Sequence, residues 1–288
     1  MSAPRPDMRS RALGFPGAGE RVLVVGIVNV TPDSFYDGGR YTSAEAAIAH
    51  GLELAEAGAD WLDVGGESTR PGSLPVSAEE ELGRVVPVIE GLAKRCALPI
   101  SIDTRRAEVA ERALAAGASI VNAVAGLRDP RLAEVAAMHG AALVINHMRG
   151  EPATMQRAPG YTDVVHEVAR ELLADAELAL RAGIAPERVW LDPGIGFGKR
   201  PREHSVVLIA RLRELVALGH PVMVGPSRKS FLRALTGAEA EERLPGSLAV
   251  AAACVLAGAR ALRMHDVAAA RQAVDVAAAI RDAGAGAS

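Results

Sequence analysis

Apolar and polar positions along this chain come in alternating blocks. Short apolar or β-branched runs stand at 22–30, 61–65, 100–103, 120–124, 142–147, 189–192, 222–225 and 261–265. Between them lie Ala/Leu/Glu/Arg-rich stretches with helical period, as at 43–57, 107–116 and 164–182. Several helical stretches end in a glycine shortly before the next run (Gly58, Gly117, Gly183 and Gly219), a position that suits a left-handed helix C-cap. The strand runs are continuously apolar, as parallel strands covered by helices on both faces are. Eight such units predict a single (β/α)₈ TIM barrel over residues 21–284, preceded by a flexible leader at 1–20. An open doubly wound sheet is the alternative. It is disfavoured by the count and by the lack of a Gly-x-Gly-x-x-Gly turn after the first strand.

Nearly every apolar run ends in a polar residue that a core does not require. These are Asn29, Asp63, Asp103, Asn122, Asn146-His147, Asp192, Ser227-Arg228-Lys229 and Arg263-Met264-His265. One aspartate after a strand is more often a helix N-cap. Eight in a parallel barrel converge on one rim and predict an active site there. Asp103, Asn122 and Asp192 offer acceptors and an amide suited to a flat heterocycle with amino and ring N–H donors. Arg70, Arg228, Lys229, Arg263 and His265 add cationic groups for a phosphate or carboxylate, unless they merely form a solvated rim. Asn29 supplies a neutral oxygen of the kind Mg²⁺ accepts when it keeps most of its waters.

Composition narrows the picture. The 288 residues are 49% hydrophobic and 23% charged, as expected of a globular protein, and the net charge of −3 recruits no nucleic acid. No run is long enough to span a membrane, and residues 1–20 lack a signal-peptide core, so a cytoplasmic location is expected. Cys96 and Cys254 read as reduced, buried thiols. No HExxH spacing points to zinc, and no Gly-x-Ser-x-Gly elbow points to acyl transfer. His50, His139, His166, His204 and His220 read as bland, whereas His147, after a strand, stays ambiguous. Residues 31–40, with Phe35 and Tyr36 ahead of Gly38-Gly39, suit a lid, and residues 65–72 form a second glycine-bounded loop. The 194–198 segment, Gly-Ile-Gly-Phe-Gly, fits either a close approach to a flat ligand or a tight βα turn.

The segments VGIVNVTPDSFYDGG, DVGGESTRPGS, SIDT, HMRGEPATMQ, LDPGIGFGK, VGPSRKSFL and RMHDV resemble, in order, the signatures of the dihydropteroate synthase family. They extend from about Val25 to Val267, one per βα unit. The resemblance implies a transferase that joins 6-hydroxymethyl-7,8-dihydropterin pyrophosphate to p-aminobenzoate in folate biosynthesis. It implies that Asp103, Asn122, Asp192 and Lys229 hold the pterin and that Arg263 lies against its ring. Asn29 corresponds to the Mg²⁺ ligand, and Thr69, Arg70, Arg263 and His265 to the surroundings of the departing pyrophosphate. Ser230, Arg70 and Pro71 would receive p-aminobenzoate, and Phe35 and Asp37 would close over both substrates. Asp37, Asp103 and Lys229 are the expected catalytic groups. The family is typically a homodimer and a sulfonamide target; a resistant variant is expected to differ in the Phe35–Tyr36 lid or around Ser230.

Two positions depart from that pattern. Ala123 follows Asn122 where the family usually has aspartate, and Asn146 replaces a commoner apolar residue. Two rival functions share the Asp/Asn/Asp set: methyl transfer from methyltetrahydrofolate to a corrinoid, and non-catalytic pterin binding. The first has no use for the Ser-Arg-Lys-Ser and Arg-x-His cations. Pyrophosphate release separates all three.

Overall fold

The computed structural model describes residues 21–30, 40–68, 73 and 75–285. The leader at 1–20, Phe35 and Asp37 in the first loop, and Thr69, Arg70 and Pro71 in the second all lie outside these residues. Eight parallel strands form one sheet: β1 Leu23–Asn29, β2 Trp61–Gly65, β3 Ile100–Thr104, β4 Ile120–Val124, β5 Ala142–Asn146, β6 Val189–Asp192, β7 Met223–Val224 and β8 Ala261–Met264. Their order is β6-β5-β4-β3-β2-β1-β8-β7. A single parallel bridge, Leu191 to Val222, joins the two ends and closes a (β/α)₈ barrel. The seam is thin because Pro221 and Pro226 flank β7 and have no N–H to give a ladder.

The helices between the strands are α1 Arg40–Glu56, α2 Ala78–Arg95, α3 Ala107–Ala115, α4 Arg131–Met138, α5 Val164–Arg181, α6 Val207–Ala210, α7 Leu212–Val216, α8 Ser230–Thr236, α9 Leu244–Leu256 and α10 Val267–Ala285. Local chemistry sets their ends. Ser77 caps α2 by accepting from the Glu80 N–H, with Glu79, Glu80 and Glu81 in the first turn and Lys94 and Arg95 in the last. Asp163 caps α5 through the Val165 and His166 N–H groups. Gly58, Gly117 and Gly183 adopt the left-handed conformation expected of helix exits.

Strand residues alternate between two cores. Outward side chains such as Val24, Leu62, Ile102, Val121, Leu143, Leu191 and Leu262 pack under the helices. Inward side chains (Val25, Trp61, Ile120, Ala142, Val144, Trp190, Met223 and Ala261) plug the barrel, with the rings of Trp61 and Trp190 edge to face at 5.6 Å. One step further along each strand the inward positions turn polar.

Candidate active site

Above the tryptophan plug, inward positions at the strand C-termini carry Asn29, Asp63, Asp103, Asn122, Asn146, Asp192 and Arg263. Register links them around the wall: Asn29 lies beside Gly65, Gly65 beside Asp103, Asp103 beside Asn122, and Asn146 beside Asp192. Arg263 reaches across from β8 and donates to Asp63 at 2.5 Å and to Asp103 at 2.8 Å. Asp63 also accepts from the Ser101 hydroxyl and, at 3.3 Å, from the Asn122 amide. Asp63 is thus the buried brace that aims Arg263 and Asn122, a role its place at a strand end did not reveal.

Several acceptors are left over. Asp103 Oδ1, Asn122 Oδ1 and Asn146 Oδ1 are buried and have no protein partner. Unmatched buried acceptors are costly, and a ligand presenting N–H donors relieves that cost. Burial pushes the Asp103 carboxyl above the usual carboxylate range; Arg263 opposes the rise and Asp63 reinforces it. Burial likewise raises Asp192, against the Gly194 N–H, which donates to its Oδ1 at 2.7 Å.

Lys229 enters from the turn after β7. Its ammonium stands 3.6 Å from the centre of the Phe197 ring, a cation–π contact. Burial pushes its pKa down to about 8, with Asp192 and Asp103 pulling it up and Arg263 pulling it down. Phe197 belongs to the glycine-rich segment after β6, which therefore serves the site. A Cβ on Gly194 would stand 1.8 Å from the His147 carbonyl oxygen, and one on Gly198 would stand 2.1 Å from that of Arg149. These glycines let the loop after β6 lie directly on the loop after β5.

Lys199, fully buried, fastens the same loops. It donates to His147 Nδ1 at 2.9 Å and to the Phe197 carbonyl at 3.0 Å, and burial lowers its pKa to about 7. His147 Nε2 in turn lies 2.9 Å from Glu171, and burial lowers the His147 pKa to about 4. His147 is therefore a neutral support beneath the rim. Neither Phe197 nor Lys199 stood out in the sequence, because their partners lie far away in the chain.

At the other side of the mouth, His265 Nδ1 lies 2.9 Å from the Ser227 hydroxyl, and its Nε2 lies 3.5 Å from the Asn29 amide nitrogen. Ser230 opens α8 beside Lys229 and is exposed. Arg228 departs from the expected convergence of cations. At φ +52° it turns aside and pairs with both oxygens of Asp266, at 3.0 and 2.6 Å.

The pterin binding enzyme family matches residues 25–265. The dihydropteroate synthase of Neisseria meningitidis serogroup B is 49% identical over 264 residues, covering 89% of this chain and 92% of that protein. The Escherichia coli K12 enzyme is 47% identical over 244 residues, covering 85% and 86%. Among solved structures, the Xanthomonas albilineans dihydropteroate synthase in complex with 7,8-dihydropteroate superposes with a TM-score of 0.84 at 46% identity, covering 96% of this chain and 99% of that one. A Yersinia pestis dihydropteroate synthase bound to a sulfonamide drug gives 0.85 at 41%, covering 91% and 95%. By family match, sequence and fold together, the chain belongs to the dihydropteroate synthase family of pterin-binding enzymes.

Proposed function

We propose that the cleft joins the CH₂ carbon of 6-hydroxymethyl-7,8-dihydropterin pyrophosphate to the amine of p-aminobenzoate, giving 7,8-dihydropteroate and pyrophosphate. The observation that carries this reading is the set of unmatched buried acceptors, Asp103 Oδ1 and Asn122 Oδ1, on the wall that also bears Asp192. A flat aminopyrimidine edge supplies the missing donors. Related enzymes have been solved with 4-aminobenzoic acid and with 7,8-dihydropteroate, which supports the same pair of ligands here.

Chemistry follows from charge. The C–O bond to pyrophosphate breaks and its electron pair leaves with the anion. The pterin ring shares the positive charge left on carbon, and Asp103 faces that charge from the wall. The aromatic amine then forms the C–N bond and gives up a proton. A neutral aromatic amine is a weak nucleophile, so prior ionisation of the electrophile is the easier order. Lys229, beside Asp192 and Asp103, holds the pterin; His265 lies across the mouth, where the leaving group exits, and Arg263 lies against the ring. Ser230, at the start of α8, is the described residue that would receive p-aminobenzoate.

Mg²⁺ fits one position. Asn29 turns its nitrogen to His265, which leaves its oxygen for a cation. Among the described residues no cluster of His, Cys, Asp or Glu could cage a metal. A lone neutral oxygen suits an ion that keeps its waters and binds phosphate oxygens. When bound, the ion would neutralise charge on the departing pyrophosphate.

The enzyme works as a homodimer in the cytoplasm. Val276 and Ile280 on α10 are more than half exposed and, with Leu256 on α9, line an apolar groove that a second copy would cover. Both cysteines are free, as a reducing compartment allows, and no described helix is long and apolar enough to cross a membrane. Val276→Glu with Ile280→Glu should convert the dimer to a monomer in analytical ultracentrifugation. For the reaction itself, pyrophosphate should appear only when both substrates and Mg²⁺ are mixed with the protein. Failure to release it under those conditions would sink the assignment.

A further inference from the structure

The two departures from the family pattern sit near the same rim, and strand geometry separates them. Successive residues of a strand face opposite sides. Asn122 points into the barrel, so Ala123 points out, where it is fully buried under the helices. The carboxylate that family members carry at this position would face the helical layer, so its loss leaves the cleft's polar wall intact.

Asn146 has the other parity. It continues the inward series Ala142 and Val144, both part of the barrel plug, and it pairs with Asp192 on one side and Val124 on the other. It is only 6% exposed. Its amide stands beside the Asp192 carboxyl across the strand pair and opposes the rise of that carboxyl's pKa. A carboxylate accepts, so the amide end turned towards it is the nitrogen. The other end, Oδ1, is buried without a partner, like Asp103 Oδ1 and Asn122 Oδ1. Gly194 lies against that oxygen; a Cβ there would come within 3.3 Å of it. Three unmatched acceptors therefore share one polar layer.

We infer that Asn146 is a further ring-binding residue: its nitrogen braces Asp192 while its oxygen accepts an N–H of the pterin. The inference rests on the pterin occupying the Asp103–Asp192 cleft, and it sharpens that reading into a specificity. An apolar residue at this position contacts any flat ring, whereas an amide oxygen favours one that presents a donor. Asn146 thereby ties ring recognition to the ionised form of Asp192.

Asn146→Leu, of similar size, and Asn146→Met test this by steady-state kinetics and by calorimetric binding of 6-hydroxymethyl-7,8-dihydropterin pyrophosphate. Both variants should raise the pterin KM and Kd by on the order of tenfold, with the p-aminobenzoate KM unchanged and the melting temperature not lowered. The acid limb of kcat/KM should move to higher pH, since Asp192 loses a donor. An unchanged pterin KM in both variants, or an equal rise for both substrates, would overturn the inference while leaving the proposed reaction standing. Asp192→Asn serves as the reference: if it bound the pterin as the wild type does, the cleft assignment would fall, and this inference with it.

Discussion

The barrel interior has two layers with opposite character, built from the same strands a step apart. The lower is closed and apolar around Trp61 and Trp190. The upper is polar and leaves acceptors unmatched at Asp103, Asn122 and Asn146. The lower layer is apolar apart from the buried, unpartnered indole N–H of Trp61, so it contributes stability and takes no ligand. Partial satisfaction makes the upper layer a poor core and a good binding site, because the groups the fold leaves unpaired are those a substrate can pair. Stability and function are thus separated by about one residue pair along each strand.

That separation can be attacked from either side. Trp190→Ala, in the lower layer, should cost about 3–5 kcal/mol of stability by leaving a cavity, read in a urea melt, with little change in kcat/KM for the molecules that stay folded. Asp192→Asn or Lys229→Met, in the upper layer, should do the reverse. We expect kcat/KM to fall by roughly 10²–10³, the size seen when a key polar group in an active site is removed, without loss of melting temperature. Substantial unfolding by Asp192→Asn would show that the polar layer is structural after all.

A pH profile is the next, smaller effect. Asp103 and Asp192 have raised pKa values, so lowering the pH protonates them early and removes the acceptors that the pterin needs. Raising the pH through about 8 discharges Lys229. The pterin kcat/KM should therefore be bell-shaped, with an alkaline limb near pH 8 that vanishes in Lys229→Met. The smallest effect belongs to Arg228→Ala. Its guanidinium is committed to Asp266 at the edge of the mouth, so kcat/KM should change by less than about threefold, as for a half-exposed ion pair.

Most of the architecture was legible in the chain. The bounds 61–65, 120–124 and 189–192 coincide with β2, β4 and β6, because a continuous apolar run between a glycine-capped helix and a polar residue has few other conformations open to it. β7 is shorter than its apolar run, since prolines bracket it. Residues of the site were legible as types at strand ends, but their partners were not. Arg228 and Arg263 look alike as arginines near strand ends, yet one turns away to Asp266 and the other spans the barrel. Lys199 and His147 gave no local signal of the buried contact between them.

Amino-acid order alone determined the alternation of apolar and polar positions, hence the repeating unit, the two faces of every strand and the rim where polar groups gather. These are local consequences of side-chain period and backbone stereochemistry. Closure of the barrel decided the rest: that Arg263 meets Asp63 and Asp103, that Asn146 stands against Asp192, and which oxygens remain without a donor. Such facts depend on distances between residues far apart in the chain, and only the tilt and register of closed strands fix those distances.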